Sequence, residues 1–548
     1  MENDKRTITV GIDLGTTWSV IAAMDEFGKV NVITNAEGET KTPSVVLFEE
    51  DNPEAIVGKV AVNSAKAMPD RIAAFAKRDI GRQPPVVKEF DGKEYRPEEL
   101  SALLLRKLKE DAELTLGGDV EVKRAVITVP AYFDMARRNA TRNAGTIAGL
   151  DIIGILDEPI AAAIAFSLDE AGKDQTVVVY DLGGGTFDVT VMRIERDKVS
   201  VLAKGGNAEL GGKDWDDALV RYAAAKFEEE HGDDPTDDPA SYQAIYDAAL
   251  MAKESLSNVN KARLVVSHGG NRTSLQITRE EFDSLTANLL DQTRVTLEGI
   301  LSEVPNIRAW DQVDKVLLVG GSTRMPQVRN LVSQVTGRPV EAMQDLNPDS
   351  CVARGAAMYA MGRILAISTE GNGTSPKTTE DVGLGDEVKG MLGTLGSGSR
   401  ITSFQTESAS ARYYGIQALD DQRNPINAIM VKRNEKIPVN VTKNFGTVEA
   451  NQTEIELRIL ESEDEERDPS KANLIIEDKI QGIPSGMPAN HPVSVRFEFL
   501  EDGTLRVYAM VEFAEQEYTC ELKAAPPGGM TGTELEEAKA KSAALTVV

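Results

Sequence analysis

Two short segments of the sequence combine an acid, glycines and threonines in the same order. In the first, 11–17, an apolar strand leads into an aspartate, a leucine, a glycine and two threonines. In the second, 177–188, an apolar run leads into an aspartate, a leucine, three glycines and a threonine. Glycine lets a backbone approach a phosphate closely, and N–H and hydroxyl groups donate to its oxygens. The aspartates cannot bind phosphate, but they can hold a hydrated divalent cation or orient a nucleophile.

The repetition of this pattern separates two interpretations. A single copy fits an ordinary strand and tight turn as well as it fits a phosphate loop. Two copies, the second with three consecutive glycines that would weaken a strand exit, favour two related lobes facing one nucleotide. A third segment, 316–326, again runs from a strand into two glycines and a helix start. It fits an ordinary βα turn or a surface where Arg324 packs on a base. No GxxxxGK[ST] sequence occurs, which excludes a P-loop protein.

Strand-like and helix-like segments alternate between residues 7 and 365. Apolar runs predict buried strands at 8–13, 44–48, 124–130, 176–182, 188–194 and 315–321. The longest helical pattern, 279–304, predicts a single helix. Alternation of this kind predicts an α/β domain whose sheets are covered on both faces.

The composition changes after Leu365, and the rest of the chain divides into three parts. Residues 366–412 are rich in serine, threonine, glycine and acids, which predicts a polar linker. Residues 413–523 contain short β-rich runs separated by turn signals, which predicts an all-β sandwich. Residues 524–548 predict a short tail with one short helix. Residues 1–365 are then expected to form the two lobes.

The composition also excludes several classes of function. The 548 residues carry 60 Lys and Arg against 88 Asp and Glu, and a charge of −28 argues against binding nucleic acid or an anionic membrane. Two cysteines and three scattered histidines argue against a disulfide framework and a zinc hydrolase. The sequence shows no signal peptide and no run of about 18 or more apolar residues, so we expect a cytoplasmic protein without a membrane segment.

Eight segments within residues 1–365 resemble the 70-kDa heat-shock protein chaperone family of the actin/hexokinase/heat-shock ATPase superfamily. They occur in the family's order at 11–19, 75–82, 127–138, 155–166, 181–190, 209–216, 318–326 and 347–357. In actins and sugar kinases, only the phosphate loops would be expected. The resemblance implies an α/β two-lobed actin-like ATPase domain followed by an all-β sandwich. It also implies ATP or ADP as the ligand, with Mg²⁺ and a monovalent ion such as K⁺.

The resemblance further implies roles for individual residues. Asp13 and Asp181 would hold the hydrated Mg²⁺, and Asp188 would lie near the phosphates and the monovalent ion. Lys77 would reach the transferred phosphate, and Glu158 would position the attacking water. The other implied contacts to the nucleotide are Gly15, Thr16, Thr17, Gly183, Gly184, Gly185, Thr186, Gly211, Gly212, Lys253, Ser257, Gly320, Gly321, Ser322, Arg324 and Asp349, with Thr186 among the catalytic groups. Phosphoryl transfer to water needs a metal, a cation and a positioned nucleophile.

The adenine end of this site departs from the family's pattern. Leu250 and Glu254 stand where many members have a glutamate and an arginine. Trp18, after the two threonines, occupies a variable position, where it could cover the site or serve packing alone.

Residues 413–523 resemble the family's peptide-binding sandwich more weakly. By position, the cleft would be lined by Ile416, Leu419, Phe445, Val448, Ile455, Leu457 and Val493, although inward-facing residues of any sandwich show this pattern. Pro130 and Arg138 resemble the residues that couple the nucleotide to the peptide domain. The linker is longer and more polar than the family's, which predicts altered coupling. The tail leaves no room for a helical lid, so we expect bound peptide to leave quickly in every nucleotide state.

These observations predict an ATP-dependent molecular chaperone that hydrolyses ATP and binds unfolded or extended polypeptide. A J-domain co-chaperone and a nucleotide-exchange factor are implied partners. Two alternatives remain. One is a specialised heat-shock-like ATPase that binds or assembles one dedicated protein partner. The other is a sugar kinase or filament-forming actin relative, against which the family-specific segments argue.

Overall fold

The computed structural model describes residues 6–169, 174–195, 198–339, 341–342, 349–369, 405–500, 503–523, 529–530 and 532–548. Among the described residues, strands and helices alternate as far as Thr369, and the main elements from Tyr413 to Lys523 are antiparallel strands. The strands are β1 (Arg6–Asp13), β2 (Trp18–Met24), β3 (Val30–Ile33), β4 (Thr42–Pro43), β5 (Val45–Phe48), β6 (Glu54–Val57), β7 (Ile72–Ala74), β8 (Lys88–Phe90), β9 (Lys93–Tyr95), β10 (Val120–Val129), β11 (Asp151–Asp157), β12 (Gln175–Leu182), β13 (Phe187–Glu195), β14 (Lys198–Asn207), β15 (Lys261–His268), β16 (Asn271–Thr278), β17 (Lys315–Val319), β18 (Glu341–Ala342), β19 (Gln405–Ala409), β20 (Tyr413–Leu419), β21 (Pro425–Val431), β22 (Lys436–Ile437), β23 (Val439–Gly446), β24 (Ile455–Ser462), β25 (Asn473–Ile480), β26 (Pro492–Phe499), β27 (Leu505–Phe513), β28 (Gln516–Lys523) and β29 (Thr546–Val547). The helices are α1 (Lys59–Ser64), α2 (Ala76–Asp79), α3 (Pro97–Leu116), α4 (Met135–Ile147), α5 (Glu158–Asp169), α6 (Gly212–His231), α7 (Pro239–Asn258), α8 (Arg279–Leu285), α9 (Ala287–Gly299), α10 (Pro326–Thr336), α11 (Cys351–Thr369) and α12 (Gly532–Ala543).

The first lobe is built on a sheet with parallel strands at its centre. Its order is β11-β10-β1-β2-β3, with β1, β10 and β11 parallel and β2 and β3 antiparallel. On one face Val10 and Ile12 pack with residues of α3, and on the other Val126 packs with residues of α5 and α11. Both faces are therefore covered, which explains the nearly continuous apolar composition of β1 and β10. The predicted α/β class is confirmed.

The second lobe repeats this arrangement. Its sheet runs β18-β17-β12-β13-β14-β19-β22, with β12 parallel to β17 and antiparallel to β13. Asp181 near the end of β12 stands opposite Asp188 on β13. The Asp13 segment likewise ends β1 and turns into antiparallel β2. The repeated sequence pattern thus corresponds to two strand-turn-strand units, one in each lobe.

Helices α5 and α11 cross between the two sheets at very close range. A Cβ on Gly355 of α11 would overlap the carbonyl of Ala161 in α5, and one on Gly11 would overlap the backbone at Ala357. Such contacts leave room only for hydrogen, so glycine is required at both positions.

One predicted helix is interrupted. The segment 279–304 was expected to form a single helix, but it divides into α8, α9 and a 3₁₀ turn. The interruption is at Thr286, whose φ and ψ are −110° and 8°. The buried Thr286 hydroxyl donates to the Phe282 carbonyl and lies 3.2 Å from Gln327 Nε2 of α10. Packing against α10 therefore overrides the local helical preference.

The second half of the chain forms a sandwich of two antiparallel sheets. Their orders are β21-β20-β24-β25 and β23-β26-β27-β28. Alternate residues of both sheets, such as Ile459, Val495 and Phe497, form one buried core between them. The predicted all-β sandwich is confirmed as a fold class.

A strand lies inside the segment expected to be a polar linker. Strand β19 (Gln405–Ala409) pairs in parallel with Lys198–Ser200 of β14 and antiparallel with β22. The expectation of a linker over 366–412 is therefore corrected for 405–409, which form β19, and for 366–369, which belong to α11. The part of that prediction over 370–404 lies outside the described residues. The strand is polar, and it is held by polar contacts: Glu407 pairs with Lys198 and accepts from Ser200 Oγ at 2.9 Å.

The tail packs against the first lobe. Helix α12 contacts α3 and α4, and β29 pairs in parallel with β6 at Glu54–Ala55. Arg96 donates to Glu534 at 2.6 Å, and Lys541 lies 3.7 Å from the centre of the Tyr95 ring. Among the described helices, none combines the length and apolarity needed to cross a membrane.

Candidate functional site

A cavity of about 1370 Å³ opens between the two lobes. The predicted residues that line it are Asp13, Gly15, Thr16, Thr17, Lys77, Glu158, Asp181, Gly183, Gly184, Thr186, Gly212, Lys253, Ser257, Gly320, Gly321, Ser322, Arg324 and Asp349. Three further predicted residues, Gly185, Asp188 and Gly211, lie next to the lining. The structure thus brings residues from distant parts of the sequence to a single cavity, which is large enough for a nucleotide.

The two phosphate-loop segments touch each other at the floor of this cavity. A Cβ on Gly184 would lie 2.5 Å from Thr17 Oγ1, and one on Gly185 would overlap the Thr16 side chain. The first loop is fixed by Ser44, whose hydroxyl donates to the Gly15 carbonyl at 2.8 Å. Glycines therefore allow the loops of the two lobes to come into contact, so that both can face one ligand.

The second loop is also joined to the beginning of helix α6. The amides of Gly212 and Lys213 donate to the carbonyls of Gly183 and Gly184 at 2.9 and 2.8 Å. The N-terminus of a 20-residue helix therefore lies at the cavity wall. Its positive dipole end favours an anion such as a phosphate.

Three buried carboxyl groups lie at the cavity: Asp13 and Asp181 line it, and Asp188 lies next to the lining. Burial and the nearby charge of Glu158 raise the pKa of Asp13 to about 7 and the pKa of Asp188 to about 8. Burial and the same neighbour also raise the pKa of Asp181. These groups destabilise each other's charge, so a cation among them would be favoured.

This donor set fits a hard cation. Carboxylate oxygens suit Mg²⁺, which usually keeps several waters and binds one or two carboxylates together with substrate phosphates. In the described part of the chain, no group of three or more side chains forms a ready-made metal cage. A cation held partly by water and phosphate agrees with that finding.

Lys77 and Glu158 form a buried ion pair at the centre of the site. Lys77 Nζ lies 2.6 Å from Glu158 Oε1, and the two residues are 5% and 7% exposed. Lys77 lies in α2. This short helix begins directly after Phe75, whose φ is 62°. Glu158 begins α5 where β11 ends. A lysine can offset charge that develops on a phosphate, and a carboxylate can orient a water, so this pair has the groups that hydrolysis needs.

The end of the cavity where the adenine base is expected contains predicted contacts and also two residues that depart from the family's pattern. Lys253 Nζ donates to Asp216 Oδ2 at 2.8 Å and to the Gly212 carbonyl at 3.0 Å, which fixes it to the wall. Arg324 donates to Asp349 at 2.8 Å. Leu250 and Glu254, the two departures from the family's pattern, both line the cavity.

Trp18 lies in the wall of the cavity and is 41% exposed. Lys41 Nζ is 4.5 Å from the centre of its ring and 3.9 Å from Asp349 Oδ2. Its exposure favours the interpretation of Trp18 as a cover over packing alone.

Sequence reasoning missed Arg78, which connects the two lobes. Its guanidinium donates to the Gly185 carbonyl at 3.1 Å and to Asp214 Oδ1 at 3.2 Å. The signal was available, because Arg78 adjoins Lys77 within the resembling segment 75–82. Arg78 therefore couples the position of the Lys77 segment to the second phosphate loop.

The residues expected to line a peptide cleft divide into two groups. Ile416, Leu457 and Val493 are buried and belong to the core between the sheets. Leu419 and Val448 are exposed, and Phe445 and Ile455 are partly buried. The second group offers apolar surface to a ligand, whereas the first supports the sandwich.

Of the two expected coupling residues, Arg138 lies where the sandwich meets the first lobe, and Pro130 lies shortly before the helix that carries Arg138. The Pro130 carbonyl accepts from the Phe133 amide at 3.1 Å, just before α4. Arg138 of α4 pairs with Asp157, and a Cβ on Gly503, in a sandwich turn, would lie 3.3 Å from the Arg138 side chain. Met135, the first residue of α4, packs into the sandwich core. Met135 and Arg138 therefore place α4 at a contact between the first lobe and the sandwich, and Pro130 lies in the segment just before that helix.

A buried acid makes this contact sensitive to pH. Burial and the nearby Asp134 raise the pKa of Glu461 to about 7, although Tyr414, Arg412 and the Met135 amide favour its charged form. Away from α4 the acid would return towards its ordinary value near 4.5. The docked state therefore binds an extra proton between these pH values, so docking is strongest below about pH 4.5, weakens as the pH rises to about 7 and changes little above that.

We expect the full chain to be more compact at pH 6 than at pH 8. Small-angle scattering measures the radius of gyration, and hydrogen exchange at the Met135 amide reports the contact itself. Glu461→Gln removes the titrating group and should flatten both pH profiles. Glu456→Gln, an exposed acid on the same strand, is the control. An unchanged pH profile in Glu461→Gln would contradict the assignment.

Comparison with known proteins agrees with this arrangement of a two-lobed site and a sandwich. The profile of a family described as Hsp70 protein matches residues 9–386 and 395–545. A protein of Thermotoga neapolitana named Chaperone protein DnaK is 41% identical over 514 residues, which cover 92% of this chain and 78% of that protein. Proteins of the same name from Thermotoga maritima and Thermosipho melanesiensis are 40% and 37% identical over the same shares.

Proposed function

Because this chain belongs to the Hsp70 protein family, we propose that it is an ATP-dependent molecular chaperone. The observation that carries the proposal is the convergence of two phosphate loops, the buried Asp13 and Asp181 and the Lys77–Glu158 pair on a single cavity. The chain binds ATP or ADP there and hydrolyses ATP. Hydrolysis changes how the sandwich holds unfolded or extended polypeptide.

The roles proposed for the site residues come from the family resemblance and are compatible with their positions at the cavity. Asp13 and Asp181 would hold a hydrated Mg²⁺, and Asp188 would lie beside them for a monovalent ion such as K⁺. When bound, the divalent ion neutralises charge on the phosphate oxygens. Lys77 contacts the transferred phosphate, Glu158 orients the attacking water, and the glycine loops donate backbone N–H groups to the other phosphates.

The sandwich offers peptide an apolar surface beside backbone donors. Leu419, Val448, Phe445 and Ile455 provide that surface, and extended chains can then be bound with little dependence on sequence. A J-domain co-chaperone and a nucleotide-exchange factor are proposed as partners, by family membership. The cytoplasmic location expected from the sequence stays a prediction.

The proposal is tested by the rate of ATP hydrolysis with and without an unfolded peptide. We expect the full chain to hydrolyse ATP in the presence of Mg²⁺, with a faster rate when peptide is added. Absence of hydrolysis would contradict the assigned chemistry. Hydrolysis without any response to a varied set of apolar peptides would contradict the chaperone role.

One alternative is an ATPase that serves a single protein partner. It is favoured by the polar strand β19 and by the residues that depart from the family's pattern at the adenine end of the cavity. Leu250, Glu254 and Glu407 are the residues concerned. A peptide array separates the two functions, because broad apolar preference indicates a chaperone, whereas no peptide binding together with one captured folded partner indicates the alternative.

A further inference from the structure

The cavity between the two lobes has two ends of different chemistry. One end is formed by the glycine loops and the start of α6, which suit phosphate. The other end lies between α7 and the segment 320–330. Leu250, Glu254 and Ser257 line it from α7, at intervals of four and three residues that place them on one side of the helix. A nucleotide whose phosphates occupy the first end therefore has its base at the second.

Two basic side chains at the second end already have partners in the protein. Lys253 Nζ donates to the Asp216 carboxylate at 2.8 Å and to the Gly212 carbonyl at 3.0 Å. Arg324 donates to Asp349 at 2.8 Å, and its side chain is 50% exposed. A guanidinium held by a carboxylate can stack its plane on a base, and adenine and guanine present the same kind of π face. These two cations therefore add affinity without selecting one purine.

Two polar side chains on the same face of α7 can pair with either purine. The Ser257 hydroxyl makes a long hydrogen bond of 3.4 Å to the Lys253 carbonyl and can rotate away from it. It can then accept from the N6 amino group of adenine or donate to the O6 oxygen of guanine. Glu254 is exposed, and its carboxylate only accepts. Adenine offers it the N6 amino group, whereas guanine offers N1–H and the N2 amino group side by side.

The charge of Glu254 acts on the wall of the cavity. Burial raises the pKa of Asp216 to about 6, and the charge of Glu254 adds to the rise, although Lys253 opposes it. The carboxylate of Glu254 therefore lies near the Lys253–Asp216 pair, on the side of α7 that faces the ligand.

We propose that this chain binds and hydrolyses GTP as well as ATP at this site, and that Glu254 is the residue that admits guanine. The proposal rests on the proposed function and extends its substrate class to both purine nucleoside triphosphates. The reaction is the same for each: water attacks the γ-phosphorus and the bond from it to the β–γ bridging oxygen breaks. The products are the nucleoside diphosphate, inorganic phosphate and a proton.

The first test compares ATP, GTP and ITP on the full wild-type chain with Mg²⁺. Rejection of a base by about 10⁴-fold needs a buried polar group that the wrong base leaves unpaired, and Glu254 is exposed. Kd for GTP should therefore lie within about tenfold of Kd for ATP, measured by competition against a fluorescent nucleotide. ITP lacks the N2 amino group of guanine and loses one charge-assisted hydrogen bond, so it should bind about threefold more weakly than GTP.

The second test replaces Glu254 by a side chain that only donates. Glu254→Arg cannot accept from N1–H or from the N2 amino group, so Kd for GTP should rise about fivefold or more. Kd for ATP should rise by less than about twofold, and the difference between GTP and ITP should disappear. Glu228→Arg is the matched control, because it makes the same change of charge at an exposed residue of α6 outside the lining of the cavity.

The outcomes separate this proposal from the proposed function. A wild-type chain that hydrolyses neither ATP nor GTP overturns both. Hydrolysis of ATP, together with a Kd for GTP more than about tenfold higher than that for ATP, overturns the proposal alone. Similar affinities whose ratio is unchanged in Glu254→Arg also overturn it, because guanine would then be admitted by other groups. The comparison of GTP with ITP needs no substitution, so equal binding of these two by the wild type contradicts the proposal even if Glu254→Arg does not fold.

Discussion

Glu158→Gln should reduce kcat for ATP hydrolysis by about a hundredfold or more while leaving Kd for ATP within about threefold of the wild-type value. The amide keeps the size of the side chain and removes its negative charge. It can no longer accept a proton from water, and its interaction with Lys77 Nζ, 2.6 Å from Oε1 in the wild type, is weakened. Binding survives because the phosphate loops and the helix α6 N-terminus are untouched.

Lys77→Ala should reduce kcat for ATP hydrolysis by a similar factor, because it removes the other member of the pair. It removes the cation that would offset charge on the transferred phosphate, and it leaves Glu158 beside Asp13 and Asp181 without a compensating charge. Single-turnover hydrolysis and equilibrium binding of a fluorescent nucleotide separate chemistry from affinity.

A matched control is available in the same lobe. Lys107 and Asp111 form another buried lysine–carboxylate pair at 2.9 Å, within α3 and away from the large cavity. Lys107→Ala should lower thermal stability by an amount comparable to Lys77→Ala, with kcat nearly unchanged. If kcat fell equally in Lys77→Ala and Lys107→Ala, or in neither Glu158→Gln nor Lys77→Ala, the site would be misassigned.

The two phosphate loops could be predicted from the residues because their signals are local, whereas Lys77 and Glu158 were indicated by the family resemblance alone. A phosphate loop needs glycines within a few residues of each other, and Gly183–Gly185 are adjacent in the sequence. A buried strand before the loop is equally local. The prediction that both loops face one nucleotide required only the assumption that two copies of the same sequence pattern have the same function. The cavity accordingly contains most of the residues that the sequence indicated.

The contacts between the parts of the molecule could not be predicted in the same way. Strand β19 is polar, so its composition is typical of a loop, and its stability depends on Lys198, Ser200 and Lys436 from elsewhere in the chain. Asp157 and Lys204 form a pair although they are 47 positions apart in the sequence, and no periodicity of the sequence indicates such a pair. The packing of α12 on the first lobe depends equally on distant partners such as Arg96.

Gly211 illustrates a position where one methyl group should impair the whole site. A Cβ there would lie 2.5 Å from the Gly185 amide nitrogen and 2.6 Å from its Cα, and neither backbone atom can turn aside as a side chain can. The φ of Gly211 is −169°, ordinary extended backbone, so close approach rather than strain requires glycine. An alanine would force the second phosphate loop away from the start of α6.

Gly211→Ala should therefore raise Kd for ATP by about tenfold to a hundredfold, since overpacking of this kind typically costs about 1–3 kcal/mol. The helix amides of Gly212 and Lys213 would no longer donate to the loop carbonyls, and the loop would lose its contact with the first lobe at Thr16. Titration with a fluorescent nucleotide measures the effect. Gly299→Ala is the control, because that glycine has a φ of −76° and open space around its Cβ position. Equal ATP affinity in the two variants would mean that contact between the loop and the helix does not shape the site.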